Sequence, residues 1–136
     1  MRFRKGFTLV ELIVMIGIFG LLVTMAMPSV SRYVRSNRLA TSTERMAADI
    51  QMVRTMSIAN GRIYRLAVTP GGYQIIDPVS GDVIRDRQFD GNVQLGAAAT
   101  IHFFPWGMAD AAVFNLQNGC GARMINLLPT GIVEVH

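Results

Sequence analysis

Cysteine occurs once in this chain, at Cys120, so no disulfide can form within it. An exported domain of this length would then be held by its core alone. Histidine occurs twice, at His102 and His136, and one Cys with two His leaves a structural zinc site almost nothing to draw on. Asp77, Asp82, Asp86, Asp90 and Asp110 raise the question of calcium, but their spacing fits no EF-hand loop and reads as solvated turn acids. Ser, His and Asp occur, yet no local nucleophile motif joins them. His102 alternates with Ile101 and Phe103, which predicts an exposed or edge position on a strand. The expectation is a protein with no enzymatic role, no cofactor and no metal. Charge is the most unevenly missing property: between Leu12 and Ser31 there is none.

That uncharged run is the organising feature of the chain. Its length is close to the ~20 residues a helix needs to cross the hydrocarbon core. The hydrophobic content of 51% and the mean hydropathy of +0.34 are inflated by this one segment, so they do not imply a polytopic membrane protein. Glu11 stands at its edge, the only charge between Lys5 and Arg32. A carboxylate costs on the order of 2.5–3.5 kcal/mol at a helix centre in the bilayer and less near the interface. Glu11 therefore needs a partner and reads as functional. An ordinary membrane anchor leaves that charge unexplained. A secretory signal cut after Thr24-Met25-Ala26 leaves it equally idle.

The segment Lys5-Gly6-Phe7-Thr8-Leu9-Val10-Glu11 resembles the N-terminus of type IV prepilins and type II secretion prepseudopilins. Arg2, Arg4 and Lys5 match the short basic leader of that family. The resemblance implies cleavage by prepilin peptidase between Gly6 and Phe7, N-methylation of Phe7, an assembly role for Glu11, and a helix kink at Pro28. Other pilin subunits and inner-membrane lipid would be the partners. The head would lie in the periplasm before incorporation into a pilus or pseudopilus.

Phe7 to about Asn60 reads as one long helix whose solvent changes partway. Its first half is apolar on all sides. From Val30 the pattern turns amphipathic, with Val30, Tyr33 and Val34, then Met46, Ala47, Ile50, Val53 and Ser57, at helical spacing. The intervening Arg32, Arg35 and Arg38 lie three apart and share a face. Gly17 and Gly20 weaken the helix before Pro28, which removes a backbone hydrogen bond within it. Asn60-Gly61 is a plausible stop. Beyond it the period changes to two. Strands are predicted at Arg62–Thr69, Tyr73–Asp77, Val83–Phe89, Asn92–Leu95, Thr100–Phe104, Ala111–Gln117, Ala122–Leu128 and Ile132–Val135, punctuated by Gly, Pro and Asn turns. The fold class is therefore α+β: a long N-terminal helix packed on an antiparallel β sandwich or folded sheet. The organisation expected is a leader at 1–6, a membrane and assembly helix at 7–28, an amphipathic half-helix at 29–61 and a β head at 62–136.

Three later segments narrow the resemblance to H-type minor pseudopilins and FimT-type minor pilins. They are Val53–Gly61, the apolar-Pro-x-Gly stretch Ile101-His102-Phe103-Phe104-Pro105-Trp106-Gly107, and the closing hairpin Ile125–Val133. Phe103 and Phe104 face opposite ways on an alternating strand, so at least one is a candidate to lie outside the main core, as a protein contact or, as is commoner for strand aromatics, simply buried. Cys120, between Gly119 and Gly121, reads as a small residue in a tight turn or an exposed thiol.

The formal charge of +4 includes the leader; without it, ten basic side chains face nine acidic ones. Arg32 to Arg62 holds six Arg against Glu44 and Asp49, whereas Ile63 onward holds four Arg against six acids. This describes a basic stem and a mildly acidic head. The alternative role attached to some FimT-type pilins, DNA capture during uptake, would need an exposed basic loop or tail. The tail Thr130–His136 has no Arg or Lys, and Arg85 and Arg87 are offset by Asp82, Asp86 and Asp90. The sequence argues against a nucleic-acid partner.

Overall fold

The computed structural model describes residues 7–136. Helix α1 runs from Leu9 to Asn60 and is continuous through Pro28. By internal packing the chain divides between Val34 and Arg35. In the first unit, every residue from Phe7 to Val34 is exposed, and an 18-residue window reaches a mean hydropathy of 2.5 with none of it buried. Thr8 starts the helix: its Oγ1 accepts the Glu11 N–H at 3.3 Å. Thr8 and Glu11 thus stand at the N-cap and third helical positions of a capping-box spacing.

The second unit contains the rest of α1 and eight strands: β1 Tyr64–Thr69, β2 Gly72–Ile76, β3 Val83–Gln88, β4 Gln94–Leu95, β5 Ala99–Phe103, β6 Ala112–Asn118, β7 Gly121–Leu127 and β8 Val133–Val135. All eight predicted strands form, with ends displaced by one or two residues. They make two four-stranded antiparallel sheets, ordered β3-β2-β1-β5 and β4-β6-β7-β8. Hairpin turns account for β1–β2, β2–β3, β6–β7 and β7–β8. The β1–β5 pairing, with Leu66 opposite Ile101, closes the first sheet over a long sequence separation.

Leu39, Ser42, Thr43, Met46, Asp49, Ile50, Val53 and Ser57 form the buried face of α1. Their three- and four-residue spacing keeps them on one stripe. The stripe joins Leu66, Ile75, Phe103, Phe114, Leu116, Ile125 and Leu127 in one core. Burying each of these large aliphatic or aromatic side chains is worth roughly 1.5–3 kcal/mol. The buried stripe begins at Leu39. Val30, Tyr33 and Val34, expected to join this face, fall out of phase with the stripe at about 100° per residue and are exposed.

Candidate functional site

The residues expected to carry assembly are Phe7, Glu11 and Pro28 in the first unit, with Gly6 outside the described residues. Phe7 is exposed, as are Leu9, Val10 and the apolar side chains that follow to Met27. Among the described residues of this unit, no side chain covers them. Glu11 sits in the first turn of α1, where a carboxylate is favoured by the unpaired N–H groups of the helix start. The Thr8 cap has a sequence signal of its own, since Thr followed three residues later by Glu is a recognisable helix start. Pro28 has no N–H to offer the Thr24 carbonyl, while Ser31 Oγ donates to Met27 O at 3.1 Å beside it. A long helix with an apolar surface on every side can only hide that surface in lipid or among other helices.

In the second unit, the three family-like segments converge on one side chain. Arg54 of α1 donates through Nε to Gly107 O at 3.0 Å. Gly107 closes the Phe104-Pro105-Trp106-Gly107 turn, its N–H reaching Phe104 O at 2.9 Å while Phe104 N–H reaches Met108 O at 2.9 Å. Leu128-Pro129-Thr130-Gly131 repeats the construction: Gly131 N–H donates to Leu128 O at 2.8 Å and Leu128 N–H to Ile132 O at 2.9 Å. Both glycines have positive φ, +84° and +74°. The two turns are tied to each other by Ala109 N–H donating to Pro129 O at 3.1 Å. A Cβ on Gly131 would run into Gly107 O and the Arg54 side chain. Ser57 Oγ–H lies 3.2 Å from Phe104 O, adding a second link to α1. Of the neighbouring aromatics, Phe103 is fully buried, whereas Trp106 is 69% exposed and stacks on Phe104 at 5.1 Å between ring centroids.

A buried ionic group, not anticipated from the sequence, fixes α1 to β2 and β3. Asp49 is 6% exposed. It accepts the Tyr73 hydroxyl at 2.7 Å and Arg85 Nη1 at 2.6 Å, with Arg87 Nε at 3.6 Å. Burial first, then the hydrogen bond to Asp49 and its negative charge, push the Tyr73 phenol well above its ordinary value; Arg85 and Arg87 oppose that rise. Arg85 and Arg87 were matched in the sequence with Asp82, Asp86 and Asp90, but both turn to Asp49 instead. The hint was positional, since Asp49 lies between Met46 and Val53 on the buried stripe.

The residues considered for chemistry are dispersed. His102, half-exposed on edge strand β5, places Nδ1 2.9 Å from Asp110 Oδ2, and its backbone N–H donates to the same oxygen at 2.9 Å. That backbone hydrogen bond is the main cause holding the Asp110 carboxyl below its ordinary range. Asp77 is not a solvated turn acid. It is buried, its Oδ1 accepts Val79 N–H at 2.9 Å, and Arg62 stands 3.8 Å from Oδ2. Cys120 is exposed in the β6–β7 turn, its N–H donating to Asn118 Oδ1 at 2.9 Å. Among the described residues, no three His, Cys, Asp or Glu side chains gather as metal ligands would.

Comparison with known proteins supplies an independent view. The sequence profile of the family described as Type II transport protein GspH matches residues 42–131, and that of the prokaryotic N-terminal methylation motif matches residues 1–27. A crystal structure of the type IV minor pilin FimU of Pseudomonas aeruginosa (strain PAO1), in space group P21, superposes with a TM-score of 0.64 at 16% identity. The match covers 76% of this chain and 92% of that one. FimU in space group P65 gives 0.60 at 16% identity, over 72% and 92%. At this identity the likeness is one of fold. No curated protein sequence matches significantly.

Proposed function

Because this chain belongs to the GspH family of type II transport proteins and carries the N-terminal methylation motif, we propose that it is a non-enzymatic minor pilin or pseudopilin subunit. In this reading prepilin peptidase cuts between Gly6 and Phe7, and Phe7 becomes the methylated N-terminus. The chain then waits in the bacterial inner membrane with its β head in the periplasm. Assembly would transfer the apolar helix from lipid to the helices of neighbouring subunits, with no loss of burial. Glu11, costly in hydrocarbon, would be drawn toward a neighbour's positive N-terminus. Pro28 and the nearby Gly17 and Gly20 would let the helix bend as it enters the filament.

The observation that carries this reading is the unbroken exposure of residues 7–34, of which 7–27 lie within the match to the methylation motif. Mass spectrometry of the membrane-extracted protein is expected to find methylated Phe7 at the N-terminus. A mature terminus at Met27 would instead make the segment a secretory signal and remove the filament reading.

A further inference from the structure

Two of the stem arginines line a small polar cavity that no carboxylate fills. Arg35 and Arg38 of α1 enclose it with Asp90, Asn92, Asn118 and Gly119, around a space of about 200 Å³. The β6–β7 turn is fixed against the helix by Asn118 Nδ2, which donates to Arg35 O at 2.8 Å. Gly91, whose φ is +67°, makes room for one guanidinium: a Cβ there would stand 2.9 Å from Arg38 Nη1, whereas Gly119 only lies alongside Arg35. Among the described residues, neither arginine has a carboxylate within 4.0 Å. Asp90, the one acid in the lining, is already paired with Arg45 at 3.1 Å. The cavity therefore presents two uncompensated guanidinium groups beside amide side chains, a donor set suited to the tetrahedral oxygens of a phosphate.

Its place in the chain says which phosphate is near. Arg35 and Arg38 follow Ser31, the end of the uncharged run, by four and seven residues. Even fully extended, those spans reach only about 14 and 25 Å. Chain connectivity alone therefore keeps both arginines within about 25 Å of the end of the apolar segment. Arginine there also runs against the usual bias of positive charge toward the cytoplasmic side, which calls for a local reason.

We infer that this cavity binds the phosphate of an anionic lipid headgroup and seats the head on the membrane surface before assembly. The inference rests on the membrane-inserted pilin reading. Its test needs no filament, so the two can fail separately.

Full-length protein in neutral-detergent micelles, labelled at Cys120 with an environment-sensitive fluorophore, reports on the adjoining turn. Phosphatidylglycerol in the micelles is expected to shift the signal saturably, with phosphatidylcholine at least tenfold weaker. Arg35→Gln with Arg38→Gln should weaken the phosphatidylglycerol response at least tenfold, while Arg123→Gln on β7 leaves it unchanged. Near-ultraviolet circular dichroism verifies that each variant is folded. Competition by millimolar inorganic phosphate would identify the phosphate itself as the recognised group; its failure to compete, with the lipid response intact, would assign recognition to the whole headgroup. Equal responses to the two lipids, or a folded double variant that responds like the parent, would overturn the inference. A double variant defective only in association with other pilin subunits would make these arginines subunit contacts instead.

Discussion

Asp49 shows how one residue can turn a surface pattern into a fixed geometry. A carboxylate on the buried face of a helix is costly unless it is paired and hydrogen-bonded, and three partners from two strands converge on it here. Tyr73 lends this group a pH dependence of known sign. Its folded pKa is raised above the unfolded value near 10, so its contribution to stability is present below about pH 10 and is lost as pH rises further. Lys5 is the only lysine in the sequence, which leaves few other groups to obscure that limb. Urea midpoints measured from pH 8 to 11 should fall above pH 10. Tyr73→Phe should flatten the fall and cost about 1–2 kcal/mol at neutral pH, since Asp49 keeps its arginines. A Phe variant with the parent's alkaline slope would sever Tyr73 from the effect. At the Pro-x-Gly turns the constraint is steric instead. Gly131→Ala demands positive φ of an L residue and pushes its Cβ into Gly107 O and Arg54. It should destabilise the head by at least about 1–2 kcal/mol, whereas Gly71→Ala, with open space around it, should cost little. Comparable midpoints for the two variants would show that the paired turns yield readily.

At the level of elements, much of the fold was legible because each strand carries its own signals. Tyr64, Leu66 and Val68 alternate, and Pro70-Gly71-Gly72 marks the turn after them. All eight strands follow from such local evidence. Sheet membership does not: β5 leaves its sequence neighbours to pair with β1, and β4 pairs with β6 across it, choices made by the shared core. Helical spacing also tells where burial stops: counted at about 100° per residue, Val30, Tyr33 and Val34 fall out of phase with the Leu39–Ser57 stripe, and they are exposed. Of the candidate site, the Phe7–Glu11 motif and Pro28 were legible as linear patterns. Arg54 and Asp49 were not, since their roles depend on loops and strands that the helix meets only after folding. The packing boundary leads to a third expectation. A fragment of residues 35–136 should be soluble, monomeric and cooperatively unfolding, because it retains Leu39, Thr43 and the Arg35–Asn118 link. Starting at Met46 should lose several kcal/mol of core contacts. Aggregation of the longer fragment, or equal stability of the two, would place the boundary elsewhere.

Over the whole molecule, the division into a basic stem and an acidic head dissolves once the elements pack. Arg45 pairs with Asp90, Arg62 with Asp77, and Asp49 with Arg85 and Arg87. Stem charges thus meet head charges of opposite sign, and Arg54 is committed to Gly107 O. The remaining clustered cations are Arg32, Arg35 and Arg38, three apart on α1. Duplex DNA binding gains chiefly from counterions released as phosphates are neutralised, with a log–log salt slope of about −0.9 per contact. Three arginines can supply a slope of about −2.7 at most, well short of proteins that make 6–10 such contacts. A cavity that seats one phosphate fits within that limit and does not amount to a DNA surface. The protein is therefore expected to bind a 20-base-pair duplex no tighter than about 10⁻⁴ M at physiological salt, the weak end of non-specific binding. Fluorescence anisotropy over a salt series measures both affinity and slope. Micromolar binding with a slope steeper than about −3 would require cations beyond this cluster and would restore the DNA-capture role. Arg85→Glu with Arg87→Glu would then test whether those side chains leave Asp49 for the duplex. Arg123→Glu would test a head arginine on β7 that makes no ion pair among the described residues.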